Sequence, residues 1–145
     1  MTKINVMKRY LILLLVVLGA CSTPLVEVVE ETYEDGSPKK ISFYKNFKKD
    51  KILVKEILYY PNKSKKLEGE YKDMKRDGKW TYWYENGNKW SEGHYKMGVD
   101  NGVKTVWYEN GEKYYEGKTK DGERVGVWLF WDEDKHVAKE IDYDK

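Results

Sequence analysis

Two hydrophobic regimes follow one another along this chain. Residues Tyr10–Leu18 form one unbroken apolar run, Tyr-Leu-Ile-Leu-Leu-Leu-Val-Val-Leu. From Thr32 onward apolar and polar residues alternate in short stretches broken by Asn-Gly, Asp-Gly and similar pairs. Alternation with period two, interrupted by turn residues, predicts short antiparallel strands. The stretches repeat. Tyr59-Tyr60-Pro61-Asn62-Lys63, Trp83-Tyr84-Glu85-Asn86-Gly87, Trp107-Tyr108-Glu109-Asn110-Gly111 and Trp131-Asp132-Glu133-Asp134-Lys135 begin 24 residues apart. Glu68, Glu92, Glu116 and Glu140 keep that register, as do Gly78, Gly102 and Gly126. Trp80 and Trp128 match, with Lys104 between them. Thr32-Tyr33-Glu34-Asp35-Gly36 reads as a further copy displaced by three residues.

Each unit reads as a β-hairpin. Asn86-Gly87 and Asn110-Gly111 predict type I′ turns, which need positive φ at both central residues. The flanking strands are then Lys79–Glu85 with Asn88–Lys96, and Val103–Glu109 with Glu112–Lys118. With Asn86-Gly87 at the centre, Trp83 opposes Trp90, Thr81 opposes Glu92 and Trp80 opposes Gly93. In the next unit Trp107 opposes Tyr114 and Thr105 opposes Glu116. The fold expected is all-β, with 24-residue antiparallel hairpins forming a twisted meander and rings along one face. Strands about 4.8 Å apart make five hairpins a ribbon of roughly 50 Å.

The unit Gly-x-Trp-x-x-Trp-Tyr-Glu-Asn-Gly-x-Lys-x-x-Glu-Gly-x-Tyr-Lys, read at Gly78–Lys96, resembles a MORN repeat. It is similar in particular to the bacterial MORN-variant proteins labelled YwqK-family antitoxins. The resemblance covers roughly Thr32 to Tyr143. It implies a single-layer stack of hairpins that binds proteins or, with less support, lipids.

The N-terminal run has a different meaning. Met1–Arg9 is basic, and the apolar run that follows is far shorter than the roughly 20 residues that span a bilayer. It ends in Leu18-Gly19-Ala20-Cys21, which resembles the lipobox of bacterial lipoproteins. Residues 1–20 therefore read as a lipoprotein signal peptide, Cys21 as the acylated residue, 21–31 as a tether and 32–145 as the repeat domain. Anchoring through more than one acyl chain is stable, at about 0.8 kcal/mol per buried methylene. The localisation expected is the cell envelope, lipid-anchored: the outer membrane where there are two membranes, otherwise the outer face of the plasma membrane.

Composition narrows the function. The chain has six Trp, thirteen Tyr, one Cys and a net charge of +2. Without residues 1–20 the balance is close to neutral, which argues against nucleic-acid binding, since that needs a basic stripe. His94 aligns with Glu70, Lys118 and Asp142, and His136 with Ser64, Asn88 and Glu112. Both therefore read as surface positions and not as a base or a metal ligand. No catalytic residue, metal site or cofactor is expected. The glutamates of the ladder would stand roughly 10 Å apart, too far to share one cation. Each is expected to accept from a Thr, a backbone N–H or a Lys across the hairpin. The rings of Trp83, Trp90, Trp107 and Tyr114 read first as the apolar core of a domain with little else to bury; the alternative is that, with Glu92 and Glu116, they form the candidate binding face, with another envelope protein as partner. The alternatives are an immunity or antitoxin-like lipoprotein that neutralises a toxin, and a binder of wall glycan.

Overall fold

The computed structural model describes residues 24–145; Cys21 and the expected signal peptide lie outside them. The described residues form one antiparallel sheet of eleven strands laid down almost in sequence order. They are β1 (Val26–Thr32), β2 (Pro38–Lys45), β3 (Ile52–Tyr59), β4 (Lys65–Lys72), β5 (Lys75–Trp83), β6 (Lys89–Lys96), β7 (Val99–Asp100), β8 (Gly102–Trp107), β9 (Lys113–Lys120), β10 (Glu123–Trp131) and β11 (Val137–Asp142). Only β7 leaves the path, pairing with β6 just before β8 takes over that edge. The all-β hairpin meander expected from the repeat is the observed fold.

Its turns differ in kind from the expectation. Around Asn86-Gly87 the Gly87 N–H donates to the Tyr84 carbonyl (3.0 Å) and the Tyr84 N–H to that of Asn88 (2.8 Å). Only Gly87 has positive φ, at 91°. This is a type I turn closed by a glycine bulge, not a type I′ turn. The Asn86 side chain selects it, because its Oδ1 accepts from the Asn88 N–H at 2.9 Å. The type I′ geometry sits at the opposite ends of the strands. There Asp73-Met74, Met97-Gly98 and Asp121-Gly122 are two-residue turns with both φ positive. The displaced first copy is explained at that same edge, where a longer loop over residues 46–51 replaces the two-residue turn.

The bulge alters the register. Trp80↔Gly93, Thr81↔Glu92 and Thr105↔Glu116 pair as expected, but Trp83 pairs with Lys89 and Trp107 with Lys113. The N-terminal boundary also differs. Residues 26–31, expected within the tether, belong to β1, where Val28 is buried and Glu30 accepts from the Tyr44 hydroxyl at 2.7 Å. The sheet starts five residues after Cys21. The acids of this segment concealed a strand whose valines have a sheet to pack on.

A single sheet has no second layer, so its core is a row of rings laid on backbone. Trp80 and Trp128 are 0 % and 1 % exposed. Each covers the glycine of the preceding strand: a Cβ on Gly69 would stand 2.2 Å from Trp80, and one on Gly117 would stand 2.1 Å from Trp128. Each indole N–H donates to a backbone carbonyl, Glu70 at 3.0 Å and Lys118 at 3.1 Å. A guanidinium closes each ring from the other side, Arg76 at 4.3 Å and Arg124 at 4.4 Å. Gly93, the equivalent position between them, lies under the slimmer Lys104 stem.

Adjacent repeats are stitched along the Asn-Gly turns. Tyr33, Tyr60, Tyr84 and Tyr108 donate their hydroxyls to the carbonyls of Tyr59, Trp83, Trp107 and Trp131, at 2.7 to 3.0 Å. Asn62 and Asn86 donate to the carbonyls of Glu85 and Glu109, at 2.8 and 3.0 Å. The Tyr-Glu-Asn-Gly signature is therefore structural. Its tyrosine binds the next repeat, its asparagine sets the turn, and its glycine takes the positive φ. The last copy has Asp132 in place of the tyrosine, so the stitch ends there.

Candidate functional site

The central strands present two unlike faces. On the side away from Trp80 and Trp128, one row runs Ile57, Glu68, Thr81, Glu92, Thr105, Glu116, Leu129 and Glu140 in cross-strand register. The glutamates are held by lysines. Glu68 meets Lys55 and Lys65, Glu92 meets Lys79 (3.0 Å) and Lys89 (2.7 Å), and Glu116 meets Lys113 (2.7 Å). Thr105 donates its hydroxyl to Glu116 at 3.0 Å. One lysine of each set also lies over a ring of the next repeat: Lys65 over Trp83, Lys89 over Trp107 and Lys113 over Trp131, at 5.5 to 5.8 Å.

The unit on this face is thus lysine, glutamate three residues on, and tryptophan eighteen residues on, repeated three times at 24-residue intervals. It ends where Val137 takes the lysine position, leaving Glu140 exposed. Between the first two units lies a shallow groove of about 280 Å³, lined by Thr81, Trp83, Lys79, Lys89, Glu68 and Glu92 among others. A smaller one, of about 190 Å³, lies beside Trp131, Lys113, Glu112 and Lys135.

The carboxyls are tuned by competing effects. Partial burial raises Glu68 and Glu92, the paired lysines lower them, and the lysines prevail, so both titrate below the usual range. Glu116 is lowered mainly by Lys113, against a smaller effect of burial and with help from Thr105. All three therefore stay ionised at neutral pH, and the groove offers fixed carboxylates and ammonium groups beside indole rings. Such groups bind and orient; none is placed as an activated nucleophile. On the opposite face, burial and a hydrogen bond to Glu56 (2.8 Å) raise the Tyr71 phenol strongly.

The expected binding face is divided. Trp83, Trp107, Glu92 and Glu116 share the glutamate side. Trp90 and Tyr114 go to the other. The Trp90 ring packs on Tyr82 at 5.9 Å, and Tyr82 packs on Trp80. Tyr114 packs on Tyr108 at 4.9 Å and on Tyr115 at 5.3 Å, and Tyr115 lies against Trp128. The cause is the bulge: one additional residue after the turn turns the following side chain to the other side of the sheet. Trp90 and Tyr114 remain 48 % and 43 % exposed. The lysine and threonine partners expected for the glutamates are present, but sequence reasoning did not say which lysines, and it set Trp80 against Gly93 and missed the closer cover of Gly69 by Trp80 and of Gly117 by Trp128. The signal for the lysines was their recurrence at positions 65, 89 and 113. His94 and His136 are exposed.

A sheet built of stacked hairpins, open on both faces and stitched at the turns, defines the class as a repeat array. The family model described as "MORN repeat variant" matches residues 76–97, the β5–β6 hairpin with its Asn-Gly turn. That stretch carries the lysine, glutamate and ring-on-glycine positions on which the neighbouring hairpins are patterned. No curated protein and no solved structure matches the chain.

Proposed function

We propose that this chain is a lipoprotein, held in the bacterial cell envelope by acylated Cys21, whose repeat sheet is a non-catalytic protein-binding module. MORN repeats are generally associated with binding to proteins or membranes. The observation that carries the reading is the groove on the glutamate face, where ring, cation and carboxylate recur in fixed register on rigid strands. A partly exposed indole gives contact area, and the alternating charges select a partner of matching pattern. An extended peptide or a strand-rich surface suits a groove that runs across strands with a repeat of about 10 Å.

The experiment is capture from living cells with the protein on its own anchor, followed by mass spectrometry. One dominant protein partner, lost in a Lys79→Glu plus Lys89→Glu variant, is the expected result. Its identity separates a scaffold from an immunity or antitoxin-like role. Capture that ignores the groove variant refutes the site. Acyl labelling abolished by Cys21→Ala is expected of the anchor, and labelling that persists refutes it. A second reading, glycan binding, is favoured by the exposed rings of Trp90 and Tyr114, which lean on the half-buried Tyr84 and Tyr108 on the other face. Retention on purified peptidoglycan, lost in Trp90→Ala plus Tyr114→Ala, is its test.

A further inference from the structure

The two rows of turns carry opposite charge. The five turns at residues 33–37, 60–64, 84–88, 108–112 and 132–136 hold eight acidic and two basic side chains. The opposite edge comprises residues 45–52, 72–76, 96–100 and 120–124, with the terminal 144–145. It holds eleven basic and six acidic side chains. The sheet is therefore a plate with one acidic and one basic rim, although the domain as a whole is close to neutral.

The chain enters at the basic rim. β1 starts there and runs toward the first acidic turn, so Pro24 and Leu25 precede it on the basic side. Pro24 and Val26 line a shallow pocket of about 410 Å³ with Phe47, Lys48 and Lys49 of the longer loop. This rim also carries five of the eleven exposed large apolar side chains: Leu25, Ile52, Met74, Met97 and Val99. Met74, at a turn tip, is 80 % exposed. Lys48, Lys49, Lys72, Lys96 and Lys120 are exposed and form no ion pair among the described residues. Met74 and Met97 are at the tips of tight turns, 80 % and 37 % exposed.

We infer that the basic rim lies on an anionic lipid surface, so that the sheet stands on edge with its acidic rim outward and both faces open to partners. The inference rests on the lipid-anchored reading for the height at which the sheet is held, since five residues reach only about 18 Å. It does not rest on that reading for the choice of rim, which charge and the exposed side chains set. Basic residues near an anionic surface contribute to binding residue by residue, and the effect decays within a Debye length, about 8 Å at physiological salt. Only residues held against the surface benefit. The tether is short enough to hold them there.

The test uses the full chain as processed by cells, mixed with vesicles of phosphatidylcholine alone or of phosphatidylcholine with phosphatidylglycerol. Oxidation rates of Met74, Met97 and Trp90 are read by mass spectrometry. The expected result is that Met74 and Met97 are protected on the anionic vesicles relative to the neutral ones, and Trp90 is not. Added salt removes the protection. A Lys48→Glu, Lys49→Glu, Lys72→Glu, Lys96→Glu variant, checked for an unchanged strand spectrum, loses it as well. That variant's contribution from the anionic lipid falls about 100-fold or more. Met74 as reactive on anionic as on neutral vesicles overturns the inference. Failure to bind neutral vesicles refutes the anchor alone. The rim is then judged on anionic vesicles, where binding with Met74 protected supports it and no binding overturns it.

Discussion

Gly69, Gly93 and Gly117 occupy the same place in three successive repeats, yet an added methyl group should act very differently at each. At Gly69 the new Cβ would stand 2.2 Å from the Trp80 ring, and at Gly117 2.1 Å from the Trp128 ring. At Gly93 its nearest neighbour is the Lys104 Cγ at 3.9 Å, an ordinary contact. None of the three has positive φ, so backbone strain does not enter. In Gly69→Ala the indole must leave its seat. Exposing a buried ring loses about 2–3 kcal/mol. The bond from its N–H to Glu70 adds about 1 kcal/mol, and the Arg76 contact adds roughly 0.5–1 kcal/mol. Partial relaxation of the ring recovers some of this, which leaves an expected loss of about 3–4 kcal/mol. For Gly93→Ala the reduced entropy of the unfolded chain favours the variant, and the net change should lie within about 1 kcal/mol of zero. Urea titration followed by tryptophan emission and far-UV circular dichroism measures both. Equal losses at Gly69 and Gly93, or a loss below about 1 kcal/mol at Gly69, would refute the account of the core.

Three further outcomes follow from the same geometry. Tyr84→Phe removes the hydroxyl that reaches the Trp107 carbonyl, and should lower stability by about 1 kcal/mol and speed hydrogen exchange at that turn; an unchanged rate would remove the stitching role. Lys63 holds φ at 70° where Gly87 and Gly111 stand in the inner repeats, so Lys63→Gly should stabilise by about 1 kcal/mol, read as a raised Tm, whereas Gly87→Ala should destabilise. Glu68, Glu92 and Glu116 titrate lower in the folded chain than in the unfolded one, so their contribution is present above the ordinary carboxylate range and is lost as pH falls through their lowered values. Tm should decline on acidification below about pH 4.5, and Glu92→Gln should flatten that decline; an identical profile would show the pair to be without weight.

The period of 24 residues made most of the architecture legible. Gly87, Gly111 and their counterparts marked where hairpins reverse, and the pairing of Thr81 with Glu92 and Thr105 with Glu116 followed from counting outward. Counting failed within two residues of the turn. Asn-Gly is compatible with two turn types, and the choice depends on whether the Asn86 side chain engages the Asn88 N–H. The resulting bulge sends Trp90 and Tyr114 to the opposite face from Trp83 and Trp107. β1 was hidden for another reason: Glu27, Glu30 and Glu31 look solvated, but Glu30 finds Tyr44 and Lys51 across the sheet. Trp80 and Trp128 were visible as matched positions. Their burial depends on a glycine eleven residues earlier, a relation that appears only once the strands are paired.

The central claim is that the glutamate face, with Lys89, Trp107 and Glu92, is where a protein partner sits. Site-specific photocrosslinking in living cells tests it most directly, with the photoreactive residue placed in turn at Lys79, Lys89 and Lys113 on that face and at Trp90 and Tyr114 on the other. The account predicts one protein adduct from the lysine positions and none from the two aromatic ones. Adducts from Trp90 and Tyr114 alone would contradict it, placing the partner on the face that holds Trp80 and Trp128.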